Sequence, residues 1–139
     1  LCFYCESLLG EDDGHIEHIK SKSLTGFTFQ YDNLAHCWDS SEHCGHFKQR
    51  QLLPVEPRAG CNDWFALMAL DGRIVPAFGL NEPAKVNAQV SLDILGLNDA
   101  KLAASRKEFA RLVGYMSAND WQKFISASTI PFRWTLRRL

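Results

Sequence analysis

The sequence has no apolar run of the roughly 18 to 20 residues that a membrane-spanning helix needs. Its first residues also lack the basic and apolar segments that make up a secretory signal peptide. We therefore expect a cytoplasmic protein that has no membrane partner.

An excess of positive charge is also missing. The chain has 15 lysines and arginines against 16 aspartates and glutamates, which gives a formal net charge of -1. A free-standing nucleic-acid-binding protein usually carries a strong positive balance that neutralises phosphates. If the substrate is nucleic acid, either a local group of basic residues binds it or a partner protein provides the positive charge.

The length and composition favour one globular domain. At 139 residues, 46% of them hydrophobic, the chain can bury a real core but is too short for two ordinary domains. Its character changes near residues 53–57, since all five histidines and four of the five cysteines come earlier. We expect an α+β fold in which residues 1–52 carry the polar chemistry and residues 53–139 form an accessory region packed onto them.

Turn residues and apolar periodicity predict the elements of both regions. In the first, we expect a strand over residues 14–19 and a short helix over 41–51. In the second, two apolar runs, 64–70 and 73–78, are joined by the pair Asp71 and Gly72, which predicts a tight β-hairpin. Amphipathic helices should follow, over residues 83–95, 100–116 and 119–125.

Single residues refine this picture. Asn98 is a plausible N-cap of the second helix, with Asp99 in its first turn, and Asn119 is a plausible cap of the third. Helical spacing predicts one buried stripe made of Leu102, Phe109, Leu112, Val113 and Met116. The period-two alternation of Phe27, Phe29 and Tyr31 favours core packing over base stacking. The aromatic residues near the end either dock a partner or cap the protein's own core: Trp121, Phe124, Phe132 and Trp134.

Four cysteines have a spacing that suits zinc. Cys2 and Cys5 form a C-x-x-C pair, and Cys37 and Cys44 form a second, looser pair. Disulfides are rare in cytoplasmic proteins, and four thiolates suit a closed tetrahedral zinc site that holds loops together. We therefore predict a structural Zn²⁺ bound by these four residues.

Alternatives to this zinc site stay open. His43 could replace Cys44 as the fourth ligand, and Cys37 and Cys44 could simply be buried thiols. A redox role for the C-x-x-C pair is disfavoured, because no βαβ pattern follows it. Cys61 stands alone and is expected to be a core thiol.

Between and after the cysteine pairs lie residues that suit hydrolysis. Glu17 precedes His18 in the run His-Ile-Glu-His, Asn33 lies in Tyr-Asp-Asn-Leu, and His46 lies in the run Cys-Gly-His-Phe-Lys. A carboxylate beside a histidine, with a later histidine on a helix, can hold one divalent cation such as Mg²⁺ and activate one water. Strict strand alternation would send Glu17 and His18 to opposite faces unless the strand ends or bends at Ile19.

This order, with the cysteines interleaved, resembles the HNH nucleases, and most closely the PtuB family of Septu and retron-associated anti-phage systems. The resemblance implies a zinc-stapled ββα-metal core in residues 1–52 and hydrolysis of nucleic-acid phosphodiester bonds. It also implies that His18 is the general base, that Glu17 is a ligand of the catalytic cation, and that Asn33 holds the loop that aims His18. Gly45 occupies the place where many members carry asparagine, so His46 is the available second ligand.

The resemblance also implies partners. They are an ATPase of the PtuA type and, in retron versions, a reverse transcriptase with its reverse-transcribed DNA. The rival interpretation is a non-catalytic zinc-bearing interaction module with a degenerate HNH site, in which the histidines are structural or solvent-facing. His15 is ambiguous between a loop residue and a supporting group, and His36 and His43 are expected to be structural. Four basic residues flank the site as candidate phosphate contacts: Lys20, Lys22, Lys48 and Arg50.

Overall fold

The computed structural model describes residues 1–24, 26–126 and 130–136, without the side chain of Trp134. It contains four strands: β1 (His15–His18), β2 (Leu34–Cys37), β3 (Phe65–Met68) and β4 (Arg73–Pro76). Its helices are α1 (Cys44–Lys48), α2 (Glu82–Leu95), α3 (Ala100–Val113), α4 (Ala118–Ser126) and α5 (Arg133–Leu136). Two 3-10 turns cover Tyr31–Asn33 and Cys61–Trp64. Of the helices described here, none has the length and apolarity needed to cross a membrane.

The N-terminal region has the order β1, β2, α1. The strands pair antiparallel, with His15 opposite Cys37 and His18 opposite Leu34, and α1 packs against β1. The strand expected over residues 14–19 is therefore confirmed, whereas β2 was not predicted. The predicted helix over residues 41–51 is reduced to one short turn of helix, α1 (Cys44–Lys48), and is followed by Gln49 with a φ of 53°.

The second sheet is the predicted hairpin, β3 and β4, with Met68 opposite Arg73. The prediction of a two-residue turn at Asp71 and Gly72 is wrong, because four residues, 69–72, connect the strands. Gly72 has a φ of 75°, and a Cβ there would lie 1.9 Å from the carbonyl oxygen of Ala103. The turn therefore needs glycine because α3 packs directly on it.

The three predicted helices of the second region are confirmed as α2, α3 and α4, with shifted ends. The cap of α3 is Asp99, whose carboxylate accepts from the backbone N–H groups of Lys101 and Leu102, and not Asn98. Asn98 instead bonds both the N–H and the carbonyl oxygen of Ile74 in β4. At α4 the side chain of Ser117, and not Asn119, accepts from the N–H of Asp120. At each helix start, several nearby polar residues are able to cap the helix. At α3, Asn98 is bound to Ile74, so Asp99 is the cap.

One buried cluster joins the two regions of the sequence. Members before residue 53 are mostly cysteines, and members after it come from β4, α2, the α2–α3 connection and α3, including Ile74, Leu92, Leu97 and Leu102. The predicted stripe on α3 is correct for Leu102, which is buried, but wrong for Leu112, which is 45% exposed. The stripe is narrower than predicted because α3 has a neighbour on only part of its circumference.

A second cluster contains Leu67, Ala110, Phe132 and Leu136, with Trp121 and Phe124 packed against it. Of the two roles considered for the late aromatic residues, Phe132 has the core role, since it is buried. The side chain of Trp134 lies outside the described part of the chain.

The expected burial of Phe29 and Tyr31 is wrong, since their side chains are 97% and 87% exposed. Alternation buries side chains only where a strand has a covered face, and here the backbone is a loop leading into the Tyr31–Asn33 turn. Cys61, expected to be a core thiol, is only half-buried at the start of the second 3-10 turn.

Candidate functional site

Three cysteine thiols meet inside the N-terminal region. The sulfurs of Cys2, Cys5 and Cys44 all lie within 4.8 Å of one another, and Cys2 and Cys44 are 3.6 Å apart. All three residues are buried, and so is Cys37. Cys37 ends β2 and its thiol is a hydrogen-bonding neighbour of Cys2. Among the described residues, the sulfurs that meet come from two chain segments, residues 2–5 and the start of α1, and Cys37 lies next to Cys2 outside this group.

The thiols are electrostatically coupled. Hydrogen bonds from Cys37, Cys44 and Cys5 lower the pKa of Cys2 far below its usual range. The Cys2 sulfur in turn raises the pKa values of Cys37 and Cys44. A bound Zn²⁺ would replace the shared protons, since it binds thiolates in a closed, water-free site of this kind.

His43 borders the cysteine cluster, whereas Cys61 lies apart from it. The Nδ1 atom of His43 lies 3.1 Å from the Cys44 sulfur, so its ring borders the cluster, and burial lowers its pKa. Among the described residues, the metal-sized group contains Cys44 and not His43. Cys61 lies apart, with its sulfur 3.8 Å from the Asn62 side chain.

Polar side chains gather on the face of β1 that meets α1. One Glu17 oxygen lies 3.7 Å from Nε2 of His15, and His15 Nδ1 lies 3.9 Å from a carboxylate oxygen of Asp39. The same Asp39 oxygen accepts from His46 Nδ1 at 2.9 Å. A histidine that donates one ring N–H to a carboxylate presents its other nitrogen as a lone pair, the form that binds metal. Asp39 therefore orients His46, although their exposed contact adds little stability.

The other Glu17 oxygen is held by Lys48, whose Nζ lies 2.7 Å away. Lys48 is 0% exposed, and it also donates to the carbonyl oxygens of His18 and Gln49 at 3.3 and 3.1 Å. Its three N–H donors thus match three acceptors. The expectation that Lys48 contacts phosphate is wrong, because its ammonium group is buried and holds the Glu17 carboxylate and the His18 carbonyl oxygen.

Gly45 makes room for Glu17. A Cβ built on Gly45 would lie 2.9 Å from Cγ and 3.0 Å from Cβ of Glu17, closer than side chains pack. Any larger residue would push the glutamate off the start of α1. The missing side chain at Gly45 therefore leaves the space that the Glu17 side chain occupies.

His18 ends β1 and is oriented by the loop of residues 19–33. Its Nε2 lies 3.0 Å from the carbonyl oxygen of Thr28. A carbonyl oxygen only accepts, so the neutral ring carries its proton on Nε2 and keeps the lone pair on Nδ1. Glu17 and His18 both lie in the paired part of β1, where successive side chains point to opposite faces. Glu17 accordingly faces Lys48 of α1, whereas His18 is held by the loop.

Asn33 closes that loop. Its side-chain oxygen accepts from the N–H of Lys20 at 2.7 Å, and its amide donates to the carbonyl oxygens of Lys20 and Phe27 at 2.9 and 3.0 Å. Asn33 is buried, so these bonds are shielded from water. The asparagine therefore fixes both ends of the segment that contains Thr28.

The β1–α1 face offers few ligand atoms for a hard cation. Glu17 has one oxygen outside the Lys48 contact, and His46 has Nε2 outside the Asp39 contact. Within residues 1–24, 26–126 and 130–136, the only metal-sized group of three is the cysteine cluster. The donors present fit a cation such as Mg²⁺ that keeps several waters, since that ion commonly takes only one or two protein ligands.

The sequence alone did not point to Asp39 and Thr28, which lie in no motif. It pointed to Lys48 as a candidate phosphate contact and not as a buried partner of Glu17. The spacing of Lys48 from Cys44 was the only available signal, since one turn of helix places both on the buried side. Lys20, a second candidate for phosphate contact, pairs with Glu56 at 2.9 Å.

Comparison with known proteins identifies the family. No family model matches the chain. The curated protein named "Retron Vc95 putative HNH endonuclease" from Vibrio cholerae serotype O1 biovar El Tor is 34% identical over 155 aligned positions. The alignment covers 100% of this chain and 74% of that relative. With this site and this relative, the chain belongs to the HNH endonuclease family.

The cysteine cluster predicts bound zinc. Freshly purified, reduced protein should carry about one Zn²⁺ per chain, because closed thiolate sites hold this ion tightly. Cys44→Ser should lose the metal and loosen the N-terminal region, since metal affinity at such sites is largely folding free energy. Cys61→Ser is the matched control and should keep its zinc. Elemental analysis by mass spectrometry makes the measurement, and zinc-free wild-type protein would contradict the assignment.

The buried ion pair predicts a large loss of stability in Lys48→Met. Removing the ammonium group leaves the Glu17 carboxylate uncompensated, which typically costs about 3–5 kcal/mol. Lys22→Met, an exposed lysine on the neighbouring loop, should change stability by less than about 0.5 kcal/mol. Denaturant unfolding of the two variants makes the comparison. Equal stabilities would mean that Lys48 does not hold Glu17.

Proposed function

We propose that this protein is a metal-dependent HNH endonuclease that hydrolyses phosphodiester bonds in nucleic acid. The observation that carries the proposal is the hydrogen bond between Nε2 of His18 and the carbonyl oxygen of Thr28. His18 follows Glu17 at the end of β1, and the loop that contains Thr28 is closed by Asn33. A histidine held in one tautomer by a backbone carbonyl is prepared to act as a base. Membership of the HNH endonuclease family supports the same role.

In the proposed reaction, Nδ1 of His18 takes a proton from the attacking water. The water oxygen forms a new bond to phosphorus while the bond from phosphorus to the leaving ester oxygen breaks. The leaving oxygen takes a proton from solvent water, and His18 afterwards releases its proton to solvent. The ring remains aligned throughout because Nε2 donates to the carbonyl oxygen of Thr28. Lys48 supports this geometry by holding the Glu17 carboxylate and the His18 carbonyl oxygen against α1.

Glu17 and His46 would hold the catalytic cation, Mg²⁺ or another hard divalent ion. When bound, such an ion supplies positive charge that stabilises the phosphate and the developing charge on the leaving oxygen. Lys48 keeps one Glu17 oxygen occupied, so the glutamate would offer the other. Asp39 keeps the His46 ring turned so that Nε2 is free to bind.

We further propose that residues 1–52 are the catalytic HNH unit of the ββα-metal type and that residues 53–139 are an accessory region of the same domain. The shared cluster of buried residues supports placing both regions in one domain, because Ile74, Leu92 and Leu97 pack with the cysteines. Zn²⁺ at Cys2, Cys5, Cys37 and Cys44 would then hold the ends of β2 and α1 together.

The partners are proposed from the family resemblance and from the retron named in the relative. We infer that the chain acts in a PtuB-like defence complex with an ATPase of the PtuA type, regulated by a reverse transcriptase and its reverse-transcribed DNA. The net charge of -1 supports a partner that helps to present the nucleic acid.

His18→Ala tests the base assignment. Cleavage should fall by a factor of about 100 to 10,000, the usual scale for general base catalysis. Zinc content and melting temperature should stay at wild-type values, since His18 is no zinc ligand in the proposed site. His36→Ala is the matched control, because His36 is an exposed histidine on β2 that bonds a backbone carbonyl, that of Asp13.

Full activity in well-folded His18→Ala would contradict the assignment and direct attention to His15, which lies beside Glu17. A wild-type protein that binds zinc, folds and assembles but never cleaves would favour the non-catalytic zinc module instead.

A further inference from the structure

The loop that orients His18 presents two aromatic rings to solvent. Phe29 is 97% exposed and Tyr31 is 87% exposed. Leaving large apolar side chains in water forgoes the free energy that burying them would release. Local rules that a protein breaks without structural gain tend to mark functional positions.

The rings project from an ordered backbone. Asn33 joins the two ends of the loop through Lys20 and Phe27, and the side chain of Gln30 donates to the carbonyl oxygen of Gly26 at 2.6 Å. The backbone N–H of Asn33 also donates to the carbonyl oxygen of Gln30 at 2.9 Å. Rings on a fixed backbone lose little further freedom when a ligand stacks on them.

The rings are also tied to the proposed base. Phe29 follows Thr28, the residue whose carbonyl oxygen holds His18, and Tyr31 opens the turn that ends in Asn33. A ligand that stacks on either ring is therefore bound to the same short loop that fixes His18.

The setting favours nucleic-acid bases over a protein partner. Around the two rings the loop is mostly polar: Thr28 and Gln30 are neighbours, the exposed Asp32 follows Tyr31, and the exposed Lys22 lies earlier in the loop. A protein interface usually has a contiguous apolar centre, whereas single rings in a polar setting suit stacking on bases.

We propose that Phe29 and Tyr31 form a stacking platform for unpaired bases, so that the preferred substrate of this nuclease is a single-stranded segment of DNA or RNA. Bases within a duplex are already stacked on each other, and only unpaired bases can leave the strand and lie on a side-chain ring. This inference rests on the proposed nuclease function, and it adds the class of substrate.

The test measures binding of fluorescent oligonucleotides by anisotropy without added divalent cation, so that binding is measured apart from cleavage. The probes are single-stranded DNA, single-stranded RNA and duplexes of the same length. Phe29→Ala and Tyr31→Ala are compared with Phe78→Ala and Tyr115→Ala, matched controls whose side chains are each 78% exposed. Circular dichroism and zinc content establish that each variant is folded.

The wild-type protein should bind single strands more tightly than duplexes. Each platform variant should raise the single-strand Kd by about 5- to 150-fold, the range for losing one stacked base, while the controls stay at the wild-type value. Phe29→Trp should retain binding. Stronger binding of the DNA or RNA probe identifies which nucleic acid is preferred.

Platform variants that bind single strands like the wild type would overturn the inference, and so would equal affinity for duplex and single strand. Normal oligonucleotide binding combined with lost capture of the ATPase would assign the rings to a protein partner and overturn it too. Cleavage with Mg²⁺ is assayed in parallel. If the wild type cleaves while the platform variants bind normally, only the inference fails and the proposed function stands.

Discussion

The convergence of buried thiols is the constraint on which the N-terminal region depends. Cys2 and Cys5 come from the first turn of the chain, Cys37 ends β2, and Cys44 begins α1. Strands and helices of four or five residues are too short to be stable without tertiary support. Bringing the sulfurs together fixes the end of β2 beside the start of α1. The position of α1 then determines where Gly45, His46 and Lys48 stand relative to β1.

The charge arrangement around Glu17 follows from that placement. Burial of Lys48 removes an ammonium group from water. Its three N–H groups are satisfied there, because a carboxylate and two carbonyl oxygens accept hydrogen bonds from them. The absence of a side chain at Gly45 lets the glutamate reach this lysine. A carboxylate with one oxygen held by a lysine has only the other for a cation. The metal-binding role proposed for Glu17 is therefore limited by the same interaction that orders the strand.

Part of this arrangement could be predicted from the sequence. The hairpin and α2, α3 and α4 followed from apolar periodicity and turn residues, because these elements are long enough for the pattern to be read. The strand β2 and the reduced length of α1 could not, since their stability comes from the thiol cluster and not from local preference. Lys48 looked like any surface lysine because its burial depends on Glu17, which is distant in sequence. The burial expected for Phe29 and Tyr31 was wrong, because period-two alternation buries side chains only in a strand and the backbone here forms a loop.

The central claim is that a zinc-stapled fold carries a separate hydrolytic site that depends on a hard cation. The most direct test is a Mg²⁺ titration of nucleic-acid cleavage by protein whose zinc content is measured in the same samples. We predict cleavage that rises from background to saturation with Mg²⁺ while zinc stays bound throughout. Cleavage that persists at full rate without Mg²⁺, or that follows the zinc content alone, would contradict the account.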